Sequence, residues 1–169
     1  MGTDKGLMLF QNKTLVEQAI DSIKTYCPVI LLSTNNESYR KFNYKLVYDI
    51  YKNIGPIGGI YGGLTEIETE RCLITACDIP HIEANILDRM ISESKISEIV
   101  LLKLSKDYFQ PFPVILSKSV LPAVKGQIEN RDYKLQDLYR KIELQQRHHI
   151  TTINIDNVPL NINSRKDLN

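Results

Sequence analysis

The stretch that decides the fold is Leu73-Ile74-Thr75-Ala76-Cys77-Asp78-Ile79-Pro80. Residues 73–76 are apolar or β-branched, which is typical of a strand buried on both faces of a parallel sheet. The strand is expected over residues 72–76 and stops at Cys77-Asp78, and Pro80 is expected to open a helix that reaches about Ser94. The pattern therefore predicts a strand, a polar turn and a helix, with Asp78 at the carboxyl end of the strand.

Runs of this kind recur along the chain and alternate with helical patterns. Continuous apolar runs predict strands at residues 29–33, 46–48, 72–76, 99–104, 112–116 and 150–155. A first helix is expected to begin after Thr14, with Glu17 as its capping-box partner. Further helices are expected at residues 58–67, 80–94, 117–128, 135–146 and from 164 onward. This alternation predicts an α/β fold with a mostly parallel sheet and helices on both faces.

Composition favours one globular domain, residues 1–169, and argues against several classes of protein. At 169 residues, 43% of them hydrophobic, the chain is long enough to bury a core. A net charge of +1 gives no basic surface for nucleic acid, and no apolar run is long enough to span a membrane. Three cysteines, an odd number, predict no disulfide framework and indicate a reduced, cytoplasmic protein.

Three expected strands end near residues that could bind a ligand, namely Asn35, Asp49 and Asp78. In α/β sheets, ligands bind beyond the carboxyl ends of the strands. Asp78 could hold Mg²⁺ together with substrate phosphates, because Mg²⁺ usually takes one or two protein carboxylates; it could equally cap the next helix or be a solvated loop acid. Asp49 could accept a hydrogen bond from a base or a sugar hydroxyl, or it could simply form a turn.

The start of the chain suits a loop that holds phosphate. It reads Met1-Gly2-Thr3-Asp4-Lys5-Gly6-Leu7, with a glycine, a short polar turn and a lysine before an apolar run. Lys5 would act as a point charge against phosphate oxygens. Taken alone, Lys5 is more simply a surface lysine near the terminus.

The glycine-rich run 55–63 needs a reason, since each glycine in a helix interior costs about 1 kcal/mol relative to alanine. Gly58 at the helix start would let a ligand approach backbone N–H groups. Gly59 and Gly63 lie one turn apart and would allow close packing on the sheet. Close packing alone is the open alternative. Further on, Asn161 and Asn163 follow the last strand and would point their amides the same way if the backbone is extended.

Six short motifs keep the order and spacing of one known family. They are Met1-Gly-Thr-Asp-Lys5-Gly-Leu, Asp49, Gly55-Pro-Ile-Gly-Gly59, Cys77-Asp-Ile-Pro80, Gln110-Pro111 and Asn161-Ile-Asn-Ser-Arg-Lys-Asp-Leu168. In these motifs the chain resembles the molybdenum cofactor guanylyltransferases, the MobA family of nucleotidyltransferases. The resemblance covers essentially the whole chain.

The resemblance implies a Rossmann-like α/β nucleotidyltransferase domain that transfers GMP from GTP to the phosphate of molybdopterin, with Mg²⁺ as cofactor and pyrophosphate as product. Lys5 resembles the lysine that contacts the nucleotide phosphates, and Asp49 resembles an aspartate of the GTP site. Asp78 resembles the aspartate that binds Mg²⁺ and nucleotide, with Asn161 and Asn163 near the active site. Molybdoenzymes or cofactor-delivery proteins are the protein partners that the resemblance suggests.

The chain departs from the family at its start. Family members begin with a strand and a Leu-Ala-Gly-Gly-x-Ser-x-Arg loop before the Met-Gly found here, so we expect an N-terminally incomplete nucleotidyltransferase domain. Two alternatives stay open. One is a cytidylyl- or sugar-nucleotidyltransferase of the same fold. The other is a truncated, non-catalytic relative that acts as a binding subunit and exposes an apolar patch.

Overall fold

The structure is a computed structural model that describes residues 4–79, 82–145 and 148–155. The chain first forms a 3-10 helix, Lys5–Leu7, and a short hairpin of β1 (Leu9–Phe10) and β2 (Lys13–Thr14). The remaining elements follow in the order α1 (Leu15–Ile23), β3 (Leu31–Ser33), a 3-10 helix (Glu37–Phe42), β4 (Lys45–Val47), α2 (Pro56–Glu66), β5 (Arg71–Ile74), α3 (Ala84–Glu93), β6 (Ile99–Ser105), β7 (Tyr108–Ser117), a 3-10 helix (Lys118–Val120), α4 (Leu121–Glu129), α5 (Leu135–Gln145) and β8 (Ile150–Asn154).

The larger strands form two separate ladders. β3 and β4 pair in parallel, with Leu32 opposite Leu46. The second ladder has the order β5-β7-β6-β8, in which β6 and β8 are parallel and β7 runs antiparallel to both β5 and β6. The sheet is therefore more mixed than the expected mostly parallel arrangement, because β6 and β7 are joined by the two-residue connection 106–107 of a hairpin.

Helices cover both faces of the central ladder, as predicted. One face carries α2, α4 and α5 over a core that includes Leu64, Leu101 and Tyr139, all fully or almost fully buried. The other face packs Met90 of α3 against Val100 and Leu102. The α/β class and its layered architecture are confirmed.

Several element boundaries differ from the sequence predictions. The strands expected at 29–33 and 72–76 are shorter, and they are not buried on both faces: Val29 is 69% exposed, and all four residues of β5 are only half-buried. β3 and β5 each have one edge without a ladder partner among the described residues, which leaves their apolar side chains next to an open groove.

Two helices also begin elsewhere than predicted. α2 begins at Pro56, two residues early, because Gly55 is its N-cap and proline is favoured in the first turn. α3 begins at Ala84, not at Pro80, because the preceding segment buries Ile79 and Ile82 as a small core of its own with Leu87. Among the described residues, no helix combines the length and the apolar character needed to cross a membrane. The helix expected from residue 164 lies outside the described residues.

Candidate functional site

Asp78 lies in a turn at the carboxyl end of β5. The N–H of Ile79 donates to the carbonyl of Ala76 at 3.1 Å, so Cys77 and Asp78 are the central residues of a β-turn. The Asp78 carboxylate is half-buried and has no hydrogen bond or ion pair to any residue that the structure describes. It does not cap α3, whose N-cap is Glu83. The helix-cap alternative for Asp78 is therefore wrong.

The loop that carries Lys5 packs directly against this turn. A Cβ placed on Gly6 would lie 2.1 Å from the Tyr39 hydroxyl oxygen and 3.3 Å from the Cys77 sulfur, so only glycine fits there. The Lys5 side chain is exposed and pairs with no acidic residue in the described part of the chain. The fold thus brings the sequence-predicted lysine next to the turn of the sequence-predicted aspartate.

The pKa of Cys77 reflects the same neighbours. Burial first, and then the negative charges of Asp78 and Asp4, raise the pKa of the Cys77 thiol to about 11, while the charge of Lys5 acts in the opposite direction. Lys5, Asp4 and Asp78 therefore all lie within electrostatic range of one sulfur atom. A cation and a carboxylate on two loops that pack together suit a ligand that carries both phosphate oxygens and a divalent metal ion.

Asp49 and Asn35 come together at the ends of β3 and β4. The Asn35 amide donates to Oδ2 of Asp49 at 2.8 Å, and the backbone N–H of Asp49 donates to Oδ1 of Asn35 at 3.1 Å. A Cβ on Gly59 would lie 2.8 Å from the Ser33 hydroxyl and 4.0 Å from Oδ1 of Asp49. The first turn of α2 therefore borders this edge of the fold. The edge formed by the carboxyl ends of β3, β4 and β5 is called the rim.

The glycines of α2 that pack closely against other elements are not all the ones that the sequence predicted. Gly59 packs closely on Ser33 of β3, as predicted, but the prediction for Gly63 was wrong, because a Cβ there would enter open space. Gly58 and Gly62 also pack closely, since their Cβ positions would meet the Tyr51 carbonyl at 3.0 Å and a Val47 methyl at 3.2 Å. Gly58 is buried and its N–H donates to the Gly55 carbonyl, which favours its packing role; a contact of Gly58 with substrate stays a prediction.

A family profile, the MobA-like NTP transferase domain, matches residues 1–149. The chain belongs to this family. A probable molybdenum cofactor guanylyltransferase of Flavobacterium johnsoniae is 36% identical over 161 residues, which cover 91% of this chain and 85% of that protein. The molybdenum cofactor guanylyltransferase of Vibrio campbellii is 32% identical over 143 residues, covering 83% of this chain and 73% of that protein.

Solved structures show the same fold at low sequence identity. The molybdopterin-guanine dinucleotide biosynthesis protein A of Archaeoglobus fulgidus has a TM-score of 0.73 at 18% identity, covering 99% of this chain and 88% of that one. The 2-C-methyl-D-erythritol 4-phosphate cytidylyltransferase of Thermus thermophilus has a TM-score of 0.74 at 10% identity, covering 97% and 90%. At these identities the likeness concerns the nucleotidyltransferase fold and not the substrate.

The residues around Asp78 offer a single carboxylate as a ligand for a metal ion. Among residues 4–79, 82–145 and 148–155, no three histidine, cysteine or acidic side chains converge to hold a metal ion. Mg²⁺ keeps several waters and is usually bound through one or two carboxylates plus substrate phosphates. A single half-buried carboxylate without a hydrogen-bond partner among the described residues, such as Asp78, meets that requirement, and Mg²⁺ binding stays a prediction.

An apolar groove of about 330 Å³ lies beside the rim, between α1, β3 and the end of β5. Its walls include Ile20, Leu32 and Ile74, and the Thr75 hydroxyl at its edge is buried without a hydrogen-bond partner among the described residues. A larger cavity of about 520 Å³ lies between α4 and α5, and none of the candidate site residues above lines it.

Two of the predicted site residues cannot be placed in the structure, and three residues near the site were not predicted. Asn161 and Asn163 lie outside the described residues, so their role stays a prediction. Sequence reasoning missed the side chains that hold the Lys5 loop, namely Asp4, Asn36 and Tyr39. A signal was present for Asp4, because an aspartate two residues before a glycine is typical of a side chain that accepts from the backbone two positions on.

Proposed function

We propose that this MobA-like protein transfers GMP from GTP to the phosphate of molybdopterin and releases pyrophosphate. The observation that carries the proposal is the packing of the Lys5 loop against the Cys77-Asp78 turn, where Gly6 lies beside the Cys77 sulfur, on the rim where α/β proteins bind ligands. The relatives named as molybdenum cofactor guanylyltransferases, at 36% and 32% identity, support the choice of substrates.

The reaction needs positioning and charge neutralisation more than a protein nucleophile. A phosphate oxygen of molybdopterin attacks the α-phosphorus of GTP, a new P–O bond forms, and the bond from that phosphorus to the bridging oxygen breaks. Pyrophosphate leaves with the electron pair of the broken bond. Because two anions must approach each other, cations at the site stabilise the transition state.

The described residues divide this work between them. Lys5 contacts the phosphates as a point charge. Asp49, held by Asn35, accepts a hydrogen bond from the base or the ribose. Asp78 would bind Mg²⁺, which when bound neutralises phosphate charge and orients the pyrophosphate leaving group. Delivery to molybdoenzymes or through cofactor-delivery proteins, and a cytoplasmic location, remain predictions.

Asp78→Asn tests the central residue, with Asp132→Asn as the matched control. Asp132 accepts a hydrogen bond from Lys141 at 2.7 Å between α4 and α5, away from the rim. Loss of the Asp78 charge should lower GMP transfer by about 100-fold or more and remove the magnesium dependence of GTP binding. The control should keep both. Full transfer activity in Asp78→Asn would overturn the assignment.

The apolar groove favours one second candidate, a non-catalytic binding subunit. That alternative predicted an exposed apolar patch, and the groove beside β3 and β5 is of that kind. It also predicts that the chain binds no GTP. Equilibrium dialysis with labelled GTP and Mg²⁺ separates the two functions, and competition by CTP and UTP addresses a cytidylyl- or sugar-nucleotidyltransferase at the same time.

A further inference from the structure

Asp4 accepts three hydrogen bonds, and two of them join the Lys5 loop to the β3–β4 connection. Its Oδ1 accepts from the Gly6 N–H at 3.0 Å and from the Tyr39 hydroxyl at 2.7 Å. Its Oδ2 accepts from the Asn36 amide at 2.9 Å. A carboxylate already engaged by three donors is poorly placed to ligate a metal ion. Asp4 is therefore an anchor of the loop and not a second metal ligand beside Asp78.

Tyr39 is a rigid support for that anchor. It is 6% exposed and packs against Val16, Ile20 and Leu32 in a core cluster of its own. Burial and the Asp4 hydrogen bond raise the pKa of Tyr39, so its hydroxyl stays protonated and donates throughout the neutral range. Asn36 is fixed as well, because its Oδ1 accepts from the Ser38 N–H at 3.0 Å and so begins the 3-10 helix Glu37–Phe42.

The Lys5 loop needs such external support. Its only regular element is the three-residue 3-10 helix Lys5–Leu7, and so short a helix is not stable without tertiary contacts. The lysine side chain is long and exposed, so the backbone beneath it decides where its ammonium group can reach. Leu7 packs against the cluster of Val16, Ile20 and Tyr39, and the Leu15 N–H donates to the Met8 carbonyl at 3.0 Å. The side-chain hydrogen bonds that reach the loop on the N-terminal side of Lys5 come through Asp4.

We propose that Tyr39 and Asn36 are positioning residues that act through Asp4 to hold Lys5 where its ammonium group meets the nucleotide phosphates. This inference rests on the proposed function, since it takes Lys5 as the phosphate contact. In this role Tyr39 and Asn36 act on the Lys5 loop and not on the substrate. Their effect is on the orientation of the Lys5 loop relative to the Cys77-Asp78 turn.

The first test compares Tyr39→Phe with Tyr139→Phe in the full chain. Both substitutions remove one buried tyrosine hydroxyl, since Tyr139 donates to the Pro111 carbonyl at 2.9 Å, but only Tyr39 reaches the loop. Tyr39→Phe should weaken GTP binding about tenfold, the order expected for a lost hydrogen bond to a carboxylate, and should leave guanosine binding unchanged. It should also speed amide hydrogen exchange at Gly6. Tyr139→Phe should change neither.

A double-mutant cycle with Lys5→Ala separates positioning from a general loss of stability. If Tyr39 acts through Lys5, the loss of GTP affinity caused by Lys5→Ala becomes much smaller in the Tyr39→Phe background. Additive losses would overturn the positioning role. If Lys5→Ala alone leaves GTP affinity unchanged, the proposed function of Lys5 fails; if it weakens binding but Tyr39→Phe does not, only the present inference fails.

Asn36→Asp gives a second route to the same answer should Tyr39→Phe fold poorly. An aspartate keeps the oxygen that accepts from Ser38, but it replaces the donor facing Asp4 with a second negative charge. GTP affinity should fall while the 3-10 helix is retained, and Lys5→Ala should again add little. An Asn36→Asp protein with the GTP affinity of the parent would contradict the inference.

Discussion

Asn35 holds Asp49 by both its carboxylate and its backbone, through hydrogen bonds of 2.8 Å and 3.1 Å. The two bonds orient the Asp49 carboxylate so that Oδ2 is engaged, while Oδ1 receives no hydrogen bond from any described residue. Asp49 therefore presents one free, oriented acceptor beside the first turn of α2. A nucleoside with a hydrogen-bond donor at that position would be preferred over one without.

Replacement of Asp49 by asparagine should lower GTP affinity about tenfold, because an ionised acceptor of this kind contributes more than a neutral amide. The measurement is competition of GTP, ITP and 2′-deoxy-GTP for the site. Loss of discrimination against ITP assigns Oδ1 to the base, and loss against the deoxy compound assigns it to the ribose. Asp88→Asn, the same charge change at an exposed position on α3, should leave all three affinities unchanged. Equal binding by Asp49→Asn and parent would remove Asp49 from the site.

The glycines of α2 should respond to alanine in opposite directions. Gly63→Ala should stabilise the fold by about 0.5–1 kcal/mol, because its Cβ would enter open space and alanine favours the helix. Gly58→Ala should destabilise it, since the Cβ would lie 3.0 Å from the backbone oxygen of Tyr51. Urea unfolding of both variants gives the two free energies. A stabilising Gly58→Ala would contradict the close packing of α2 on the 51–54 loop.

The thiol of Cys77 should be unreactive near neutral pH. Burial raises its pKa from an ordinary value of 9.0 to about 11. At pH 8 its thiolate fraction is then about a hundredfold below that of an ordinary thiol, and alkylation by iodoacetamide should slow to a similar degree. Peptide mapping against a free thiol standard measures the rates.

The same pKa shift predicts an alkaline loss of stability. Folding favours the protonated thiol, so the contribution of Cys77 is complete below pH 9 and disappears as pH rises through about 11. Rapid alkylation of Cys77 by iodoacetamide at pH 8 would contradict both predictions, because it would show that the turn beside Asp78 is more open than in the structure.

The N-terminus of α1 should depend on Thr14. The Thr14 hydroxyl accepts a hydrogen bond from the Glu17 N–H, and the Glu17 carboxylate accepts one from the Thr14 N–H at 2.8 Å, as the sequence predicted. Thr14→Ala should cost about 1 kcal/mol in the free energy of unfolding. Thr65→Ala is the control, since Thr65 is exposed and bonds only to the Tyr61 carbonyl in its own helix.

Acid should reduce the difference in the free energy of unfolding between Thr14→Ala and the parent protein. The hydrogen bonds from Thr14 lower the pKa of Glu17, so this stabilisation is present above the ordinary pKa of 4.5 and is lost as pH falls through the lowered value. Unfolding curves at pH 7 and pH 3 check the sign. If the difference in the free energy of unfolding is instead larger at pH 3 than at pH 7, the capping box is not the cause of the lost stability.

The sequence predicted most elements because apolar runs and caps are local signals. Thr14, the run ending at Asp78, and the helices α4 and α5 all appear close to where their patterns indicated. Strand direction is not a local signal. The antiparallel course of β7 depends on the two-residue connection 106–107, which the apolar runs alone do not reveal.

Two other features, the turn between β1 and β2 and the role of Tyr39, could not be predicted from the sequence. The hairpin of β1 and β2 turns at Gln11 and Asn12, both with positive φ, and a glutamine is not a usual signal for that conformation. At the site, Asn35, Asp49 and Asp78 were predicted to share one rim. The hydrogen bonds between Asn35 and Asp49 were found, and the loop of Lys5 packs against the Cys77-Asp78 turn through Gly6. The Tyr39 hydroxyl was not predicted, because its bond to Asp4 joins residues 35 positions apart.

The most direct test of the account is the transfer reaction itself. The protein is mixed with molybdopterin, Mg²⁺ and GTP labelled at the α-phosphate, and label in the dinucleotide product is followed together with pyrophosphate release. If Asp78 and Lys5 support GMP transfer, the two products form in equal amounts, their formation depends on Mg²⁺, and both are lost in Asp78→Asn. Binding of neither GTP nor Mg²⁺ at the rim, with no label transferred, would contradict it.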